Sequence, residues 1–430
     1  KAILYHNKNY GDLILSETKI FNRYLVMLGA IIAQLCLGSI YAWTIFQTAL
    51  STNSPYQWEK LLTQLPFSVG LASFALFMIF AGKWQDKVGP TKVATIGGIL
   101  LGAGYLLAGL VDILFANNTI MAFLWIAITY GVVSGAGIGF AYVCPIAALV
   151  KWFPDLKGLI TGIAVAGFGA GALVFTQVET ALIPEDGPIG NALLVLGIIY
   201  LILVVGSAQL LRNPPEGWTP PNFKVTETKK ATPTGKIDSE PFEMIKTPEF
   251  WLLWSMFVMA AAAGLMTIGN VKSFVQTQNA TIDAVMAASI AGILSIFNAA
   301  GRIVWGAASD RLGRTITMII MFATLGISMF FFAIQTDILM LTIGASLIGF
   351  CFGGNFALFP SATADYFGTK NIGSNYGLVF TAYGVAGVLG PFLAGVMDYA
   401  DVFPLLGLIA FLALALAIIT EYLNRHKAVF

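Results

Sequence analysis

A single arginine frames the chemistry available to this chain. Arg302 lies in an apolar stretch, eight residues before Asp310, so about 12 Å along a helix from that charge. The acidic residues fall at the ends of apolar stretches or in the segments between them, and both histidines, His6 and His426, are terminal. The interior is therefore expected to hold neither carboxylate nor imidazole. That excludes a Ser/His/Asp set, an acid–base pair and a metal site, and Cys36, Cys144 and Cys351 are too scattered to form one. The reading is of a non-enzyme with no cofactor and no metal. A buried unpaired arginine is costly. With no acidic partner its natural counter-ion is a bound anion, held by the guanidinium fork. The alternative is a side chain that snorkels to the inner interface.

Other polar groups share this depth. Tyr142 lies ten residues before Trp152, Gln34 eleven after Arg23 and Tyr383 thirteen after Lys370, about 15, 17 and 20 Å along a helix. A bilayer core is about 30 Å thick, so all three fall near its middle. Tyr41, on the face of Gln34 by i, i+7 spacing, sits closer to the outside. Asn298, one turn before Arg302, and Asn355 are polar in otherwise apolar runs. Phe352, Phe356 and Phe359 follow i, i+4, i+7 spacing. They read either as helix packing or as a slot for a short alkyl group.

The elements that position these groups are long apolar spans. Of 430 residues, 57% are hydrophobic and 10% charged, against about 25% charged in a soluble domain. Twelve stretches of 18 residues or more lack Lys, Arg, Asp and Glu: 24–58, 61–82, 93–111, 113–150, 158–178, 187–211, 250–271, 284–301, 315–336, 338–364, 371–397 and 402–420. Each suits a membrane-spanning helix. A soluble globule, a disordered chain and a disulfide scaffold are excluded, and the continuous runs are unlike the alternation of a β-barrel. A net charge of +1 gives no pointer to nucleic acid.

Residues 212–247 differ, with six prolines, six basic and five acidic residues. The expected organisation is an N-terminal segment (1–20), a six-helix bundle (21–211), a linker (212–248), a second bundle (249–423) and a tail (424–430). With both termini inside, inner segments carry twenty of the 23 Lys and Arg and outer ones only Lys60 and Lys272. The positive-inside rule then places both termini in the cytoplasm of a multi-pass protein of the cell membrane. No cleavable signal peptide is read in residues 1–20. Lys272, near the outer end of span 7, reads as an interface lysine or as part of an outer gate or anion funnel.

The halves repeat. GKWQDKVG (82–89) and GAASDRLG (306–313) both fit G-x-x-x-D-(R/K)-x-G at matching inner loops. Asp86 and Asp310 can cap a neighbouring helix N-terminus. Lys87 and Arg311 can pair with acidic groups on the inner surface. Ordinary loop charges are the plainer alternative. The Gly/Ala clusters 131–141, 162–172 and 383–391 suit close helix crossing. GFGAGA (167–172) lacks the spacing of a dinucleotide loop.

This repeat resembles the signature of the major facilitator superfamily. YAWTIF (41–46), KWFPDLKG (151–158), TPEFWLLW (247–254), GRIVWG (301–306), ALFPSATADYFGTKN (357–371) and GSNYG (373–377) resemble its oxalate/formate antiporter family, close to the monocarboxylate transporters. The resemblance implies an all-α membrane fold of two pseudo-symmetric six-helix bundles related by an axis along the membrane normal. A small organic anion would bind between them and cross by alternating access. It implies that Arg302 is the substrate-binding charge, that Tyr142 and Tyr41 line the cavity, and that Asp86, Lys87, Asp310 and Arg311 latch the outward-open state. Where oxalate exchangers carry a lysine in span 11, this chain has Tyr383. One arginine with hydroxyl donors suits a single carboxylate such as lactate, pyruvate, formate or acetate. Animal monocarboxylate transporters have an aspartate where this chain has Asn298. Protons, the expected co-substrate of a symport, would then ride on the substrate carboxylate. Exchange of organic anions is the alternative, and a carboxylate sensor a lesser one. A monomer is the default for this fold.

Overall fold

The computed structural model describes residues 21–52, 57–183, 187–220 and 238–427. The segment 1–20, linker residues 221–237 and the last three residues lie outside them. Among the described residues, twelve helices are long and apolar enough to cross a membrane. These are α1 Arg23–Ser51, α2 Leu65–Val88, α3 Pro90–Phe115, α4 Thr119–Trp152, α5 Lys157–Leu182, α6 Gly190–Ala208, α7 Pro248–Gln278, α8 Val285–Leu312, α9 Arg314–Ala333, α10 Ile338–Phe367, α11 Ile372–Gly390 and α12 Tyr399–Arg425. Six precede the linker and six follow it. In a bilayer every backbone polar group must be satisfied within the protein, which selects helices.

Helix starts follow from local chemistry. The side chains of Asn118, Thr247, Asp283 and Asp337 each accept a hydrogen bond from a first-turn backbone N–H. Pro90 and Pro248 occupy first-turn positions where no N–H is missed. Two spans depart from α geometry. In α1, residues Gly38–Trp43 wind as a 3₁₀ helix. In α4, residues Ala127–Ser134 wind as a π helix. The 3₁₀ segment begins between Gln34 and Tyr41, so the i, i+7 register that set them on one face does not carry into it.

The two halves meet chiefly along α5 against α8 and α2 against α11. Glycine makes these approaches possible. A Cβ at Gly162 would collide with the carbonyl of Arg302, one at Gly158 with that of Gly306, and one at Gly82 with that of Gly373. The described part of the linker packs on the second half. Ser239 N–H donates to Phe367 C=O at 2.9 Å, and Asp238 accepts from Lys370 N–H at 3.0 Å. This end of the molecule is the linker side below.

Overpacking at Gly162 is expected to destabilise the fold by about 1–3 kcal/mol. Gly162→Val should lower the thermal midpoint of purified protein in detergent. Gly206→Val, where nothing lies within 4 Å of an added Cβ, should leave it nearly unchanged.

Candidate functional site

Arg302 sits on α8 where that helix crosses α5, with no solvent exposure. It does not snorkel. Its Nη1 donates to the Val165 carbonyl of α5 at 2.7 Å, and its Nε to Asn298 Oδ1 at 3.3 Å. The guanidinium carbon lies 4.3 Å from the Phe356 ring centre and 5.6 Å from that of Phe168. These aromatic faces offset part of the desolvation cost. No ion pair to Arg302 is found among the described residues. Its Nη2 is buried with no hydrogen-bond partner. A charged donor group is thus left unfilled at the junction of the halves.

Around it the expected polar and aromatic groups converge. Tyr41 of α1 and Tyr383 of α11 join hydroxyl to hydroxyl at 2.5 Å, bridging the halves. Tyr142 of α4 is fully buried, and its ring lies 5.0 Å from Phe74 and 5.3 Å from Phe380. Gln34 Nε2 donates to the Tyr142 carbonyl at 3.3 Å, while its Oε1 is unpartnered. Both amide atoms of buried Asn355 also lack partners. The three phenylalanines of α10 divide their roles. Phe356 lies under the guanidinium, Phe359 stacks on Phe257 at 4.2 Å, and Phe352 covers the backbone at Gly264. The expected common wall is therefore partly plain helix packing.

The repeated motif builds the linker-side junction twice. Asp86, at the end of α2, accepts from Gly373 N–H at 3.0 Å and from Ser374 N–H and Oγ at 2.7 Å each. It caps α11 of the other half. Asp310, at the end of α8, accepts from Gly158 N–H at 2.9 Å and Leu159 N–H at 2.8 Å, capping α5 of the first half. The first glycine of each motif, Gly82 or Gly306, abuts the carbonyl of the capped helix. The last, Gly89 or Gly313, turns the chain at φ 86° or 92°, a region that favours glycine.

The partners of this junction differ from those expected. Lys87 and Arg311 are exposed, and no ion pair of theirs is described. Arg314 and Lys157 supply the charges instead. Arg314 reaches Asp310 at 2.7 Å and Asp365 at 2.8 Å, and Lys157 reaches Asp365 at 2.8 Å across the halves. Both sequence neighbours were in view: Lys157 in KWFPDLKG and Asp365 in ATADYF. Lys272 is exposed on α7. A further correction concerns the interior. Glu179, counted among span-end acidic residues, is fully buried in α5, with both carboxyl oxygens unpartnered. The interior therefore does contain a carboxyl group.

Comparison with known proteins agrees with this architecture. The sequence profile of the Major Facilitator Superfamily matches residues 25–391. The chain is 32% identical over 85% of its length to an uncharacterized MFS-type transporter, YhjX, of Escherichia coli, covering 86% of that protein. It is 28% identical over 92% of its length to the oxalate:formate antiporter of Oxalobacter formigenes, covering 91% of it. The solved structure of the proton:xylose symporter XylE superposes with a TM-score of 0.64 at 14% identity, over 91% of this chain and 94% of that one. At such identity the last likeness is one of fold alone. With twelve membrane-length helices, reciprocal aspartate caps and a profile match across most of its length, the chain belongs to the major facilitator superfamily of membrane transporters.

Proposed function

We propose that this transporter moves a small monocarboxylate, of the lactate, pyruvate, formate or acetate class, by alternating access and together with a proton. The observation that carries the reading is the unfilled Nη2 of Arg302, a buried cation with no acidic partner at the junction of the halves. A carboxylate accepts two parallel N–H donors of such a fork. Tyr142, Tyr41 and Tyr383 offer hydroxyls around the anion, and Gln34, Asn298 and Asn355 offer amides. Phe356 offers an apolar face to a short alkyl group.

The anion is proposed to enter from the side opposite the linker. The described inter-half hydrogen bonds and ion pairs lie at the Tyr41–Tyr383 level or on the linker side of it. In this reading Asp86 and Asp310 latch the linker side, which the positive-inside rule makes cytoplasmic. Release there requires both caps to open. Lys87, Arg311 and Lys272 then act as surface charges, the first two beside the latch and the last near the entrance. The transporter acts as a monomer in the cell membrane. A second reading, exchange of organic anions, is favoured by the likeness to the oxalate:formate antiporter. It is the less favoured because a dianion suits two cations and Tyr383 stands where a second one is expected.

Charged hydrogen bonds contribute about 1.5–3 kcal/mol each. Arg302→Lys, which loses the fork, should therefore lower uptake of radiolabelled L-lactate into proteoliposomes by about 10- to 100-fold. Rapid oxalate–formate exchange without lactate uptake in the unmodified protein would overturn the monocarboxylate reading.

Loss of one helix cap costs about 0.5–2 kcal/mol. Asp310→Ala should thus shift the population toward the state open on the linker side. A cysteine introduced at Ala307 should then react faster with a membrane-impermeant thiol reagent applied from that side. An unchanged rate would remove Asp310 from the latch.

A further inference from the structure

Glu179 lies near the end of α5 opposite the linker, with no solvent exposure. It packs inside the first half, away from the junction where Arg302 sits. The groups that face it come from every neighbouring helix of that half. They are Tyr105 of α3, Tyr130 of α4 and Tyr200 of α6, each close enough to feel its charge. The three rings pack edge to face, Tyr105 lying 5.3 Å from Tyr130 and 4.8 Å from Tyr200. From α1 come Ser39, beside Tyr105 and Tyr200, Cys36 near Tyr200, and Trp43, stacked on Tyr130 at 4.1 Å. On α8, Arg302 meets α5 at Gly169, ten residues and about 15 Å along the helix from Glu179. On α10, Asp365 meets α5 at Lys157, the opposite end.

No cation among the described residues pairs with Glu179, and neither carboxyl oxygen has a hydrogen-bond partner. An ionised carboxylate in such a place is far costlier than a neutral acid. Intramembrane carboxyls of this kind mark proton relays.

From this placement we propose that Glu179 is a proton-binding site of the first half, neutral in this conformation and ionised when the surrounding tyrosine cluster opens to water. The carboxylate takes one proton from water on the side opposite the linker and returns it to water after the conformational change. The route to the anion site is short in structural terms. The 3₁₀ segment Gly38–Trp43 carries Ser39 and Trp43 on the tyrosine cluster and Tyr41 on Tyr383. A change in the charge of Glu179 therefore acts on the same six-residue segment whose Tyr41 bridges the halves. This coupling rests on the transport reading above; proton binding by Glu179 does not.

Two measurements on the full chain in lipid test it. Infrared difference spectra between wild type and Glu179→Gln, taken across a pH titration, should show the C=O stretch of a protonated carboxylic acid at neutral pH that the variant lacks. Glu179→Asp should move that band without removing it, which keeps the test open where the glutamine variant does not fold. Identical spectra would overturn the proton site, whether or not any substrate is carried. In proteoliposomes, Glu179→Gln should retain counterflow of labelled L-lactate but lose stimulation of net uptake by an inward proton gradient. Unchanged gradient stimulation, or equal loss of counterflow in a folded variant, would overturn the coupling.

Discussion

A helix leaves its first backbone N–H groups without partners, and a carboxylate set against them gains from both hydrogen bonds and the dipole. In this molecule the carboxylate in each case belongs to the other half. Asp86 ends α2 and starts α11; Asp310 ends α8 and starts α5. On the linker side each half therefore completes one helix start of the other. The glycines of the same motif bring backbones together at this level, since any side chain at Gly82 or Gly306 would strike the capped helix. Cap and close approach stand or fall together, which suits a contact that must break as a unit.

The charge at the centre depends on that closure. Arg302 donates to the Val165 carbonyl only because α5 lies directly against α8, and the Gly162 crossing sets that distance. With Phe356 and Phe168 against the guanidinium and one nitrogen unfilled, the arginine is held but not neutralised. Separating α5 from α8 would remove one of its donors' partners. Occupancy of the anion site and the packing of the halves are linked through this side chain.

Much of this was legible in the residues. Helix number follows from the spacing of charges, because a bilayer-length run without them admits few alternatives. The repeated motif announced a symmetric junction, since Asp followed by a helix-ending glycine is a local signal. Its partners were harder to read. Arg311 belongs to the motif yet faces outward, while Arg314, one turn later, faces in. Which face of a short turn is buried depends on packing across the halves, and sequence within one half does not record it. Glu179 was hidden for a related reason. Distance from the end of an apolar run measures depth along the membrane normal, whereas burial also depends on lateral neighbours. Tyr105, Tyr130 and Tyr200 come from three other spans. The 3₁₀ and π segments, lying in unbroken apolar sequence, left no compositional mark.

The 3₁₀ segment of α1 has a mechanical meaning. Its six residues, Gly38–Trp43, rise about 2.0 Å each where an α-helix rises about 1.5 Å, and turn about 120° each where an α-helix turns about 100°. Rewinding them to α pitch would shorten α1 by about 3 Å and rotate its far end by about 120°. Such a screw motion withdraws the Tyr41 hydroxyl from Tyr383 while replacing each backbone hydrogen bond by another. The first helix can act as a threaded joint, storing a translation and a twist in a stretch of six residues that never leaves the helical state.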